Sequence, residues 1–421
     1  MKILVLENEP SSRRGGSEWC LLNTCAGLVE KGHDVDLVYA KDGDFIKHYQ
    51  EFCASTTKVH RFRFDQKHLP SSAIDWCQSV ISSLAISSDL IYVNHFNDSI
   101  FASTLARLKR LPLVCHLHVF PPKKFGGQCS IGLQSTTRFI AVSQVTRQAY
   151  VNAGFDLQEI EVVYNGIDLD RFSIKDDRSQ TRRSLDIPSF AFVILYAGRI
   201  DPPKNIEMLL RAFACLELLS QQTRLLIAGN PVNHASQEDG QKYVQSLKDL
   251  CMSLGISENV HWLGSRADLP EIYRAADVTV LPSLLPDTFG LVLAESMACG
   301  TPALGLRFGG IPEVISDEFE HFQFGIGDIN GLTRLLRSLN GWQKKDPALG
   351  QRCREYITQR FPVSKSVSEI ERIFQQVVES GPRRRGPSMK TVRDWNGEGV
   401  ELCERTTSQD LTKLSRSKIH D

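Results

Sequence analysis

Residues 1–40 read MKILVLENEPSSRRGGSEWCLLNTCAGLVEKGHDVDLVYA, and this stretch decides the fold. Lys2 to Leu6 is an apolar run of strand length, interrupted by the charged Glu7 and Glu9. A polar, glycine-containing turn follows. Trp19, Leu22, Ala26 and Val29 then recur at three to four residues, the spacing that buries one face of a helix. Gly32 stops that helix, and Val35 to Tyr39 supplies the next strand. Strand, helix, strand is a βαβ opening. The turn between Glu9 and Ser17 therefore lies at the carboxyl end of a parallel strand, where such sheets bind ligands.

Working outward, further strands fit Asp89 to Asn94, Leu113 to His118, Phe139 to Ser143 and Glu161 to Tyr164. Helices fit Ala73 to Ala85, Ser99 to Leu108 and Gln144 to Ala153. Ile167 to Pro188 is polar, without a sustained apolar period, and reads as a link between domains. A second alternation begins at Phe190 to Ala197 and runs through strands at Arg224 to Ala228, Val260 to Leu263, Val278 to Leu281 and Pro302 to Gly305. Its helices fit Ile206 to Leu219, Gln241 to Leu254, Leu269 to Ala276, Leu291 to Met297 and Asp328 to Leu339, with two more at Ala348 to Gln359 and Val363 to Val378. Repeated β and α segments in both halves predict an α/β protein with two doubly wound, Rossmann-like parallel sheets. The boundaries read as 1–172 and 173–362, with helix 363–380 crossing back to the first domain.

At 421 residues the chain has room for two or three domains. With 42% apolar and 23% charged residues it reads as globular. Lys plus Arg equals Asp plus Glu, at 49 each, which gives no reason to expect a nucleic-acid partner. The start lacks the pattern of an export peptide, and no apolar run approaches the roughly 20 residues of a spanning helix. A cytoplasmic protein is expected, with any membrane contact peripheral, at the inner face. Eleven cysteines without a CxxC pair support neither a disulfide framework nor a metal site. From Gly381 to Asp421 the composition turns polar, with Arg383, Arg384 and Arg385 in a row, and reads as a flexible, locally basic tail.

Four segments carry chemistry. In SSRRGGSE, Ser11 to Glu18, the paired Gly15 and Gly16 let backbone approach a ligand, and the first helical turn offers free amides to phosphate. A simple tight turn is the competing reading. In AGRIDPPKN, Arg199 and Lys204 sit on a strand-to-helix crossover, where two cations can neutralise a diphosphate and the charge developing as it leaves. In LPSLLPDTFGLVLAESMACGTPALG, Asp287 precedes Phe289, Gly290 and an apolar helix carrying Glu295, a carboxylate suited to two ribose hydroxyls. His95 and His118 fall near the ends of two successive strands and suit a sugar or an acceptor. With His116 they make three nearby histidines, but without a fourth ligand or a zinc spacing no metal is assigned.

Taken in order, these segments resemble the retaining glycosyltransferases of family 4. The resemblance also rests on AVS at Ala141 to Ser143, VVYNGID at Val162 to Asp168 and FGGIPEVI at Phe308 to Ile315. It implies the GT-B architecture, two Rossmann-like domains facing each other across a cleft, the second binding the donor nucleotide. By the same resemblance Arg199 and Lys204 hold the donor diphosphate, Glu295 the ribose, and the amides of Gly16, Gly290 and Leu291 the donor phosphate or sugar. His118 contacts the donor sugar or lies beside the reacting carbon, and the loop of Ser265 and Arg266 meets the base. The family usually places Glu at the start of its E-x7-E motif; this chain has Asp287, one methylene shorter. SDEFEHFQFGIGD after Ile315 is a second departure, where relatives carry a more hydrophobic strand.

The implied reaction transfers a hexose from a nucleotide-diphosphate sugar, UDP-glucose or another UDP-hexose, to a hydroxyl of a glycan or lipid-linked glycan in polysaccharide biosynthesis. GDP-mannose is the competing donor. No cofactor is required, since side-chain cations neutralise the diphosphate. A sugar-nucleotide epimerase and a noncatalytic carbohydrate-binding protein are the alternatives.

Overall fold

The computed structural model describes residues 1–12, 14–216, 222–231 and 237–382. The basic tail read at Arg383 to Arg385 and beyond lies outside the described residues. The chain forms two compact units, divided between Gly166 and Ile167 and again between Arg360 and Phe361.

The first unit holds seven parallel strands: β1 (Lys2–Leu6), β2 (Asp34–Tyr39), β3 (Ser55–Lys58), β4 (Leu90–Val93), β5 (Leu113–Leu117), β6 (Arg138–Ala141) and β7 (Ile160–Val162). Their order is β3-β2-β1-β4-β5-β6-β7, a doubly wound sheet whose direction of winding reverses between β1 and β4. Ile3, Leu4, Val5, Leu90, Ile91 and Val93 are completely buried. Such unbroken apolar runs are what a sheet covered on both faces demands, and each fully buried side chain of this size contributes about 1.5–3 kcal/mol.

Helix Val363–Ser380 belongs to this first unit. Val367, Ile370, Ile373, Phe374 and Val377 form its buried stripe, and Phe374 meets Tyr92 edge-on at 5.1 Å. Polar contacts fix its register: Glu371 accepts from Lys31 at 2.7 Å and pairs with His33 at 2.8 Å.

The second unit holds β8 (Phe192–Ala197), β9 (Thr223–Ala228), β10 (Val260–Gly264), β11 (Val278–Leu281), β12 (Ala303–Leu306) and β13 (Gln323–Phe324). The order is β10-β9-β8-β11-β12-β13, again all parallel, with the reversal between β8 and β11. Each unit by itself is therefore Rossmann-like.

Several elements differ from the sequence reading. The stretch taken as a link contains helix Arg178–Ser184, which is anchored by charge rather than by an apolar stripe. Arg182 is buried; it donates to the carbonyls of Ala275, Ser189 and Ala191 and pairs with Asp277 at 2.8 Å. Arg178 pairs with the other oxygen of Asp277 at 2.5 Å. Hydrophobic periodicity does not register an anchor of this kind. Strand β3, STTK, escaped because it is a polar edge strand, and the helices Ile46–Phe52 and Gly127–Leu133 because seven residues are too few for a sustained apolar period. Among the described residues no helix is long and apolar enough to cross a membrane.

Candidate active site

In the second unit the chemistry-bearing residues gather where β8 and β11 lie side by side, the point at which the sheet reverses its winding. The loop after β8 carries Arg199 and, in a tight turn at Pro202–Lys204, Lys204. The loop after β11 carries Asp287 and ends at Gly290, which precedes helix Leu291–Ala298. Lys204 Nζ lies 3.1 Å from Asp287 Oδ2, with 17% and 23% of the two side chains exposed. The other oxygen, Oδ1, accepts from the amide of Gly290 at 3.0 Å and of Phe289 at 3.4 Å. Burial alone raises the carboxyl pKa of Asp287, but Lys204 and these amides outweigh it and hold it below the ordinary range.

This loop is held from both sides. Phe289 is buried beneath it, and Gly290 takes a left-handed φ of 94° that a side chain rarely adopts. The amide of Gly310 donates to the Asp287 carbonyl at 2.7 Å. A Cβ on Gly310 would sit 2.3 Å from the Thr288 carbonyl oxygen, so the FGG segment presses backbone against backbone.

Glu295 accepts from the buried Tyr273 hydroxyl at 2.9 Å. Burial pushes its carboxyl up to about 7, against the opposing pull of Tyr273 and Arg171. The Arg199 side chain is 47% exposed and lies 3.6 Å from the buried Asp201. Arg266 forms a two-pronged pair with Asp268 at 2.8 and 2.6 Å. A nucleotide base approaching Arg266 therefore meets a guanidinium already engaged.

In the first unit Gly15 takes φ 138° and Gly16 opens helix Gly16–Glu30. Residues the sequence reading passed over assemble beside them, at the ends of β1, β4 and β5. Glu7 and Glu18 are buried, and Arg14 bridges them at 2.8 and 3.3 Å. His95 lies 3.1 Å from Glu18 and 3.8 Å from Glu7. Burial disfavours the charged form of His95, but the hydrogen bond to Glu18 and the two carboxylates outweigh this and raise its pKa. Asn94 donates to Glu7 at 2.7 Å, and its carbonyl lies 2.9 Å from His118 Nε2. His118 is buried and its pKa falls well below the ordinary value, through burial and then the neighbouring His116 and His95. His116 bonds to the Tyr92 hydroxyl and is pushed down to about 3 by burial.

The three histidines thus face different partners. Ligand atoms of Glu7, Glu18 and His95 lie within 4.8 Å of one another, and Arg14 bridges the two carboxylates. The available signal in the sequence was a charged residue ending a fully apolar strand, since a buried carboxylate needs partners.

Two family models match the chain: Glycosyltransferase Family 4 over residues 14–171 and Glycosyl transferases group 1 over residues 177–360. A D-inositol 3-phosphate glycosyltransferase of Saccharomonospora viridis is 29% identical over 340 residues, 75% of this chain and 77% of the relative. One from Corynebacterium kroppenstedtii is 32% identical over 236 residues, 55% of this chain, and the match spans about half of that relative, 51%. Among solved structures, Anabaena Alr3699/HepE in complex with UDP and glucose superposes with a TM-score of 0.77 at 25% identity, covering 90% of this chain and 100% of that one. Sucrose-phosphate synthase from Thermosynechococcus elongatus shares the fold, with a TM-score of 0.73 at 22% identity, covering 90% of this chain and 100% of its own.

Proposed function

The chain belongs to glycosyltransferase family 4, with the GT-B fold, and on that premise we propose that it transfers a hexose from a UDP-sugar to a hydroxyl of a glycan or lipid-linked glycan. The observation that carries this reading is the meeting of Lys204 with the Asp287 to Gly290 loop at the reversal point of the second sheet. Lys204 and the amides of Phe289 and Gly290 now hold the Asp287 carboxylate, and a diphosphate that takes its place at this cation and helix start is bound as an anion. The UDP, UDP-glucose and UDP-with-glucose complexes of the Anabaena relative support a UDP-hexose donor.

In this reading Lys204 and Arg199 take the two phosphates, and the amides of Gly290 and Leu291 complete the cradle. Glu295 receives the ribose hydroxyls, Asp287 a sugar hydroxyl, and Phe289 keeps the loop rigid from below. Arg266 contributes at the base only after yielding part of its pair with Asp268. Gly15 and Gly16 of the first unit give backbone access, and His118 contacts the donor sugar. As the glycosidic bond breaks, negative charge gathers on the departing diphosphate, and the fixed cations stabilise that charge more than the ground state. The acceptor hydroxyl forms the new bond on the same face of the sugar. Bond making on the face that the diphosphate leaves retains the configuration, and the acceptor's proton passes to the departing phosphate. Work at the inner face of a membrane, through peripheral contact, fits a lipid-linked acceptor.

The test is calorimetric titration with UDP-glucose, UDP-galactose, UDP-N-acetylglucosamine and GDP-mannose. Selective binding of a UDP-hexose, followed by UDP release when acceptor is added, is the expected result. A folded protein that binds none of the UDP-sugars would overturn it.

A further inference from the structure

Strand β8 ends at Ala197, and the loop that leaves it carries Arg199 and Lys204. Backbone bonds to β9 and its continuation hold the residues on either side of Arg199. The Gly198 amide donates to the Ala228 carbonyl at 2.9 Å, and the Ile200 amide to the Asn230 carbonyl at 2.9 Å. The Arg199 carbonyl is held differently: it accepts from the Tyr196 hydroxyl at 2.5 Å, and Tyr196 is completely buried. A Cβ on Gly198 would lie 3.3 Å from that hydroxyl, so the phenol packs directly against the turn. Burial, and then the nearby Asp201, raise the Tyr196 pKa well above its ordinary value, so the hydroxyl keeps its proton and acts as a donor. The Arg199 carbonyl and the Ile200 amide belong to one planar peptide unit, which Asn230 and Tyr196 therefore grip from opposite ends.

From this grip we propose that Tyr196 is a positioning residue for the donor diphosphate, fixing through the Arg199 carbonyl the point from which the Arg199 guanidinium reaches phosphate. The Arg199 side chain is long and 47% exposed, with Asp201 3.6 Å away. What the fold can set in advance is its main chain, and a cation that starts from a fixed point loses less freedom when it binds an anion. Without the hydroxyl the carbonyl loses its partner, and the peptide unit is held at one end only. The inference rests on the reading of Arg199 as a phosphate ligand, and a variant of Arg199 itself tests that reading separately.

The experiment is calorimetric titration of the full-length protein with UDP and with uridine, which differ only in the diphosphate. Tyr196→Phe removes the hydroxyl and keeps the ring. It should weaken UDP binding by about tenfold, the order of one charge-assisted hydrogen bond, and leave uridine binding unchanged. Arg199→Ala should weaken UDP binding as well. Adding Tyr196→Phe to Arg199→Ala should then cause no further loss, because the group being positioned is gone. Equal weakening of UDP and uridine by Tyr196→Phe, or the same loss of UDP affinity in both backgrounds, marks a general structural role and overturns the proposal. Unchanged UDP affinity in Tyr196→Phe overturns it too. Unchanged UDP affinity in Arg199→Ala overturns the phosphate assignment of Arg199, and the positioning with it. Should Tyr196→Phe not fold, p-aminophenylalanine at position 196 keeps the ring and a donor. UDP affinity should then match the wild type, and a tenfold loss in that folded protein overturns the proposal.

Discussion

Lys204 Nζ lies 3.1 Å from Oδ2 of Asp287, an ion pair that ties the loop after β8 to the loop after β11. A diphosphate that uses Lys204 must compete with this carboxylate. Asp287→Asn should therefore strengthen binding of free UDP by about tenfold, the equivalent of roughly 1.4 kcal/mol, while turnover of UDP-glucose falls. Calorimetry with UDP against steady-state turnover separates the two effects, and weaker UDP binding in the variant would contradict the competition.

Lys204→Ala removes a cation from the place where the leaving charge develops. Loss of one preorganised group of this kind costs about a hundredfold to a thousandfold in kcat. The drop should persist at saturating UDP-glucose, because it concerns the transition state; a change in KM alone would reassign Lys204 to binding.

Glu295 has its pKa raised to about 7 by burial, so near neutrality a substantial fraction is protonated. Only the ionised form accepts from both ribose hydroxyls. UDP affinity should rise as pH increases through this value and level off above it, with a change of up to about tenfold per unit on the acid side. The same profile measured on Glu295→Gln should lose this component. The sign for folding is opposite: a carboxyl with a raised folded pKa destabilises the fold progressively as pH climbs from the ordinary range through about 7.

Gly310→Ala places a Cβ 2.3 Å from a backbone oxygen that cannot rotate away. The 286–290 loop must shift, at a cost of about 1–3 kcal/mol. Urea unfolding should show that loss, and UDP binding should weaken with it, since Asp287 and Gly290 ride on the displaced loop.

His95 and Glu18 titrate as partners. The raised pKa of His95 means that its contribution is fully present below the unfolded histidine value and is lost as pH rises through the folded one. Burial also raises the Glu18 pKa, but His95 and Arg14 outweigh it and lower the value; its contribution is present above the unfolded carboxyl value and is lost in acid. The stability difference between wild type and His95→Gln should therefore peak between roughly pH 4.5 and 6.5 and shrink on either side. A difference that is flat across this range would show that the pair contributes through packing alone.

The elements most legible in the sequence were those with strong local signals. β1, β8 and β11 are short apolar runs bounded by turns, and helices Ile206–Ala214 and Val363–Ser380 carry clean apolar stripes. Helix Arg178–Ser184 and strand β3 were not legible, because charge pairing and edge placement hold them and neither leaves a hydrophobic period. At the candidate site the loops were identifiable, but the state of their side chains was not. Nothing in the spacing of Arg266 and Asp268 distinguishes a paired arginine from a free one, and nothing in the Leu291 to Ala298 helix says that Glu295 is half-buried and hydrogen-bonded to Tyr273.

By itself the sequence determined two rounds of alternating strand and helix and a set of glycines, cations and carboxylates at strand ends, because periodicity and turn chemistry are local properties of the chain. Only the tertiary structure decided which of those groups meet. Glu7, Asn94 and His118 become neighbours because β1, β4 and β5 pair side by side, and Lys204 meets Asp287 because β8 pairs with β11. Desolvation and pairing act through distances that the order of residues does not contain. They are what raise Glu295 and His95, lower Asp287 and His118, and thereby set the chemistry of each group.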